Sequence, residues 1–135
     1  MVFIDTNVFL YAIGKEHAYK LPSQSVLQAL EQDKVEGNTN TEVIQEVLYV
    51  LSRRGSRELA SEVARDLIDL FPNLLPVTRP DLMVAAILYT NSPSISPRDA
   101  VHVATMRNNG LDTIVTADLG FDNIDGIRRV DPTAI

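Results

Sequence analysis

The chain contains no cysteine, which excludes disulfides, thiolate zinc sites, iron–sulfur clusters and cysteine nucleophiles together. Histidine is nearly as scarce, with only His17 and His102 far apart in sequence, so a histidine-rich zinc site is not expected. No apolar run approaches the ~18–20 residues of a membrane span. The start, MVFIDTNVFLYAI, has no basic stretch and carries Asp5 within its apolar run, so it is not read as a signal peptide. A protein of the cytoplasm, without membrane contact, is the expectation. Basic charge is also short: twelve Lys and Arg against eighteen Asp and Glu give −6, the wrong sign for holding nucleic acid by general electrostatics. If the protein acts on RNA, a cation must mediate, because a bound divalent metal reverses the field of a carboxylate cluster.

What is present is a sequence of 135 residues, 45% apolar and 22% charged, sufficient for one globular domain with a real core. No repeat, low-complexity tract or linker divides it, so residues 1–135 are read as one domain. Residues 2–5 form a buried strand ending at Asp5, followed by a helix from Thr6 to about Ile13. Val26, Leu27 and Leu30 predict a helix over Pro22–Asp33, and a short strand should follow through Lys34–Thr39. Val43, Ile44, Val47, Leu48 and Leu51 make 41–54 an amphipathic helix that Gly55 ends. Ser56 caps a further helix to about Leu70. Leu74–Val77 is expected as a strand and Asp81–Tyr89 as a helix. Ser96-Pro97-Arg98-Asp99 is a strong helix start, with Ser at the cap, Pro in the first position and an acid near the positive dipole end. That helix runs to about Asn109, Thr113–Thr116 is a strand, and Arg128–Val130 is a final edge strand. Alternation of strands and helices predicts an α/β domain with a central, mainly parallel sheet of 4–5 strands. Ligands bind such sheets outside the carboxyl ends of the strands, where Asp5 and Asp118 should both emerge.

Each acid has a local explanation. Asp5 suits a helix N-cap. Thr39 and Glu42 have the spacing of a capping box, whereas Glu46, one turn deeper, has no evident structural task beyond a solvated helix edge. Asp99 suits the helix dipole, although the small and apolar residues after it imply a buried helix whose mouth is a costly place for a charge. Asp118 follows an apolar strand. Asp122, beyond Phe121, reads equally as a turn residue or as part of the cluster. The convergence of Asp5, Glu46, Asp99 and Asp118 on one rim is the informative feature. Four like charges repel unless a hard cation neutralises them, and Mg²⁺ or Mn²⁺ is the oxygen-seeking choice.

The segments VFIDTNVFLYA, TNTEVIQEVLYVLSRRG, SPRDAVHVATMRNNG and IVTADLGFDNIDGIRRVDP together resemble the PIN-domain family, in particular its VapC-type toxins of toxin–antitoxin pairs. The resemblance covers essentially the whole chain; only about Asn73 to Ser94 carries no family signal. It implies a single PIN-like domain with helices on both faces of the sheet and hydrolysis of RNA phosphodiesters with Mg²⁺ or Mn²⁺, leaving a 5′-phosphate. Carried over by motif, Asp5 and Asp99 hold the metal most directly and Glu46 and Asp118 complete its shell. Asp122 is the candidate for a weaker second site, and Thr6, Asn7 and Thr116 are the supporting polar residues. An antitoxin partner and a homodimer are implied by resemblance alone. The basic cluster Arg53, Arg54 and Arg57 at the end of the helix 41–54 reads either as a solvated helix end or as a contact for RNA or antitoxin. Two alternatives compete: a catalytically silent PIN-fold module that binds RNA or protein, and a haloacid-dehalogenase-like phosphohydrolase. The latter needs a second acid where Asn7 stands.

Overall fold

The computed structural model describes residues 1–135. Its centre is a sheet of β1 (Val2–Ile4), β2 (Gly37–Asn38), β3 (Thr113–Val115) and β4 (Arg128–Val130) in the order β2-β1-β3-β4. Every pairing is parallel, with Phe3 opposite Asn38 and Ile114, and Ile114 opposite Arg129. Phe3, Ile4, Thr113, Ile114 and Val115 are all buried. Because successive strand residues point to opposite faces, the two central strands are covered on both sides, as parallel sheets require. Six helices connect and cover them: α1 (Thr6–Ile13), α2 (Lys20–Glu31), α3 (Thr41–Arg53), α4 (Arg57–Leu70), α5 (Arg79–Asn91) and α6 (Pro97–Asn108). They pack chiefly as the sequential pairs α1 with α2, α3 with α4 and α5 with α6.

The helix starts follow from local chemistry. Ser56 accepts from the Leu59 amide, and Ser96 accepts from the Asp99 amide, so both caps read from the sequence are formed. Helix α2 begins at Lys20, two residues before the expected Pro22, which a proline tolerates in the first turn because its missing N–H would be an orphan there. Gly55 and Gly110 follow α3 and α6 with φ of 106° and 71°, the left-handed conformation in which a glycine carries no Cβ penalty.

Two strand expectations need correction. The stretch Leu74–Val77 contributes only an isolated bridge between Leu75 and Asn40, with Leu75 exchanging hydrogen bonds with Thr39 and Thr41. The Val77 amide, which would carry this ladder on to Thr41, donates to the Thr41 Oγ1 hydroxyl instead, because the Thr41 backbone has already entered α3. The strand expected through Lys34–Thr39 is confined to Gly37–Asn38, because the Lys34 and Val35 amides turn back to the Ala29 carbonyl to close α2.

Candidate active site

The strand ends assemble the first half of the site. Asp5 follows β1 and caps α1, its Oδ1 accepting from the Thr6 amide at 2.7 Å. Its Oδ2 accepts from Thr116 Oγ1 at 2.7 Å and from Asn7 Nδ2 at 3.3 Å. Asn7 also donates to Thr116 Oγ1 at 2.9 Å, and Thr116 Oγ1 accepts from the Asp118 amide at 3.0 Å. Thr116 directly follows β3, the neighbour of β1, so the parallel register brings both strand exits together. Asp118 is exposed at the start of the turn Leu119–Asn123, with Oδ1 accepting from the Gly120 amide. Asp5 thus both caps α1 and lies where the β1 and β3 exits meet. Asn7 acts as an amide donor to Asp5, the role of a support and not that of the general acid a haloacid-dehalogenase mechanism needs.

Helices α3 and α6 supply the second half. Glu46 Oε2 accepts from Thr6 Oγ1 at 2.7 Å, and Oε1 lies 3.5 Å from the Arg98 guanidinium. Asp99 completes a capping box with Ser96. One turn further along α6, His102 is fully buried with Nε2 3.8 Å from Asp5 and 4.0 Å from Glu46. One ligand atom each from Asp5, Asp99 and His102 lie within 4.8 Å of one another. His102 and Arg98 are the residues that reading the sequence missed. His102 stands three residues after Asp99, the spacing that puts two side chains on one helix face, and that spacing was the available signal.

Burial dominates the electrostatics. It pushes the Asp5 carboxyl up to about 7, helped by the Asp99 and Glu46 charges and opposed by the hydrogen bonds from Thr116 and Thr6. Burial likewise raises Asp99, with the Asp118 and Glu46 charges adding to it against the Ser96 hydrogen bonds. Burial and neighbouring negative charge thus both disfavour ionisation of Asp5 and Asp99. His102 is pushed down to about 3 by burial and by the Arg98 charge, so it is neutral. A cluster of carboxylates with no cysteine, in which negative charge is destabilised by burial and mutual repulsion, has the chemistry of a divalent-cation site.

Several assignments change. Glu42 does not form a capping box, because Thr39 Oγ1 donates to the Ile4 carbonyl and Asn40 takes over the cap of α3, accepting from the Val43 amide. Glu42 instead pairs with Arg98 at 3.3 Å. Asp122 is held by Arg129, whose Nε donates to its Oδ1 at 2.7 Å while the same guanidinium donates to the Thr116 carbonyl. This contact ties the turn Leu119–Asn123 to β4. Arg53, Arg54 and Arg57 are exposed. Of these, Arg53 reaches toward the site, donating to Tyr49 Oη and lying 5.5 Å from the centre of a ring that Arg98 also approaches at 5.6 Å.

A sheet with acids gathered at its strand exits defines a class of metal-site α/β proteins, and comparison with known proteins gives the family. The PIN domain model matches residues 2–127, and the chain belongs to that family. It is 30% identical over 132 residues to Ribonuclease VapC13 of Mycobacterium tuberculosis, covering 96% of this chain and 99% of that protein. It is 34% identical over 123 residues to Ribonuclease VapC23 of the same species, covering 87% and 93%. A chain of a toxin-antitoxin complex from Klebsiella pneumoniae has the same fold, with a TM-score of 0.72 at 18% identity over 100% of both chains.

Proposed function

We propose that this chain is a Mg²⁺- or Mn²⁺-dependent ribonuclease, the toxin of a toxin–antitoxin pair, with residues 1–135 acting as one nuclease domain. The observation that carries the reading is the meeting of Asp5, Glu46, Asp99 and Asp118 at one rim, where burial and mutual repulsion hold Asp5 near 7 and raise Asp99. Similarity to VapC13 and VapC23, both named ribonucleases, supports RNA as the substrate. A cytoplasmic site of action is part of this proposal.

Asp5 and Asp99 are the direct metal ligands in this reading, and Glu46 and Asp118 complete the shell. A divalent ion there supplies Lewis acidity, activating water and neutralising charge on the scissile phosphate. Thr6 holds Glu46 by its hydroxyl, while Thr116 and Asn7 hold Asp5 by two donors on one oxygen. These contacts fix carboxylate directions before any ligand arrives, which is the requirement for a preorganised site. The antitoxin reading draws on the Klebsiella complex. A homodimer is proposed through α5, whose Leu82, Met83 and Ile87 are 53%, 59% and 65% exposed on one helix. Arg53, Arg54 and Arg57 are proposed as RNA contacts.

The test is incubation of the purified protein with structured and single-stranded RNAs, with and without Mg²⁺ or Mn²⁺. Cleavage only with metal, lost again with EDTA, is the expected result. Cleavage that ignores the metal, or none with it, overturns the reading.

A further inference from the structure

The ring of His102 lies among the acids with a nitrogen aimed at them, and its own hydrogen bonds determine what that nitrogen can do. Asn40 sets the hydrogen bonding of the ring. Its Oδ1 accepts from the Val43 amide at 3.0 Å, as the cap of α3 demands. The amide nitrogen must then face the other way, toward Thr105 Oγ1 at 3.2 Å and His102 Nδ1 at 3.1 Å. Thr105 is consistent with this, since its hydroxyl spends its proton on the Val101 carbonyl at 2.8 Å and has lone pairs left to receive Asn40. Turning the Asn40 amide over would set an NH₂ against the Val43 N–H and leave a buried helix-start donor unpaired. His102 Nδ1 is therefore an acceptor, and in a neutral imidazole the proton then resides on the other nitrogen.

We infer that His102 presents a fixed Nε2–H donor to the Asp5 and Glu46 carboxylates, and so serves the site as a positioning residue and not as a metal ligand. Nε2 is fully buried and has no other hydrogen-bond partner. Its nearest acceptors are Asp5 Oδ1 at 3.8 Å and Glu46 Oε2 at 4.0 Å, so a closure of about 1 Å makes a hydrogen bond of ordinary length. The Phe3 ring, 5.4 Å away, packs against the imidazole. A neutral donor restrains two carboxylates without cancelling the negative charge that attracts a cation. It also leaves no nitrogen lone pair facing the site, so the coordinating atoms are all oxygen, the set that suits Mg²⁺ or Mn²⁺ better than Zn²⁺. This deepens the metal-nuclease reading and rests on it for its consequence, whereas the tautomer itself does not.

The test is ¹⁵N NMR on the full chain labelled at histidine, with His17→Asn to assign the two residues. The two-bond proton–nitrogen pattern of His102 is expected to report Nε2–H in the metal-free protein and to keep it when Mg²⁺ is added. An Nδ1–H pattern, or loss of the Nε2 proton on adding Mg²⁺, overturns the inference. Asn40→Ser gives a second measurement, because serine keeps the helix cap but withdraws the donor from Nδ1. Both tautomers should then appear, and Zn²⁺ affinity relative to Mg²⁺ should rise about tenfold or more, as a nitrogen ligand becomes available. An unchanged tautomer and unchanged metal preference in that variant count against the inference. If the wild type shows Nε2–H yet binds no divalent ion, the nuclease reading fails while the donor assignment stands.

Discussion

Replacing Asp5 by Asn separates a catalytic carboxylate from a structural one. In the folded chain burial holds this carboxyl near 7 against an ordinary value of 3.8. A group raised on folding binds its proton more tightly in the native state, so the native state holds more protons between pH 4 and 7, and stability falls as pH rises through that window. At about 1.4 kcal/mol per tenfold change in proton affinity, the ionised Asp5 costs about 4 kcal/mol above pH 7 in the absence of metal. Asn removes that charge. It can keep the acceptor for the Thr6 amide, but it turns an NH₂ toward Thr116 Oγ1, which already accepts from Asn7 and the Asp118 amide. Losing that contact offsets about 1–2 kcal/mol.

The metal-free variant should therefore be more stable than wild type at pH 8 by about 2–3 kcal/mol, or roughly 5–10 °C in Tm, and should lose that advantage by pH 5. Denaturant titrations in EDTA at both pH values measure it. Adding Mg²⁺ should reverse the order at pH 8, since only the wild type gains binding energy from the ion. A variant less stable than wild type at pH 8, or a difference that ignores pH, would refute the view that Asp5 is a strained ligand and would return it to a helix cap.

The helical acids give a contrast: Glu46→Gln should lower kcat/KM by about 100-fold or more, while Glu42→Gln should keep most activity, because Arg98 still has Glu46; equal losses in steady-state cleavage assays would undo this division. Gly120→Ala sets a Cβ 2.6 Å from the Ser94 carbonyl oxygen, so it should destabilise the fold by about 1–3 kcal/mol and lower activity by displacing the loop that carries Asp118. Normal activity and Tm would mean that the loop yields freely. Replacing Arg53, Arg54 and Arg57 together by Ala should flatten the salt dependence of RNA binding by up to about 2 in log–log slope, and an unchanged slope would return the patch to a solvated helix end.

The parts of the site legible in the sequence were those written in local chemistry. Asp5 at a strand end and Ser96-Pro97-Arg98-Asp99 at a helix start carry their geometry in neighbouring residues, and the structure has both. Glu42 was misread because two capping residues, Thr39 and Asn40, compete, and the winner is decided by Ile4, thirty-five residues before Thr39. Asp122 was ambiguous for the same reason: its partner Arg129 comes from another strand. His102 looked like one more residue of a buried helix. Only the packing of α6 against the β1 exit and Asn40 makes it polar in function.

The net charge of −6 is a weaker obstacle to RNA than the composition suggests. Exposed charges beyond a Debye length, about 8–10 Å at physiological salt, are largely screened, so the charges beside the site decide. There the acids meet cations in sequence. Arg98 lies 3.3 Å from Glu42 and 3.5 Å from Glu46, and the Tyr49 ring joins it to Arg53. A divalent ion on the carboxylates adds two positive charges at the point where repulsion of a phosphate is greatest, and it relieves the burial cost that raises Asp5 and Asp99. The same ion would therefore stabilise the fold and weaken the repulsion that a phosphate meets there. An acidic chain would thereby be compatible with an anionic substrate, the metal at the acids adding to the contacts proposed for Arg53, Arg54 and Arg57.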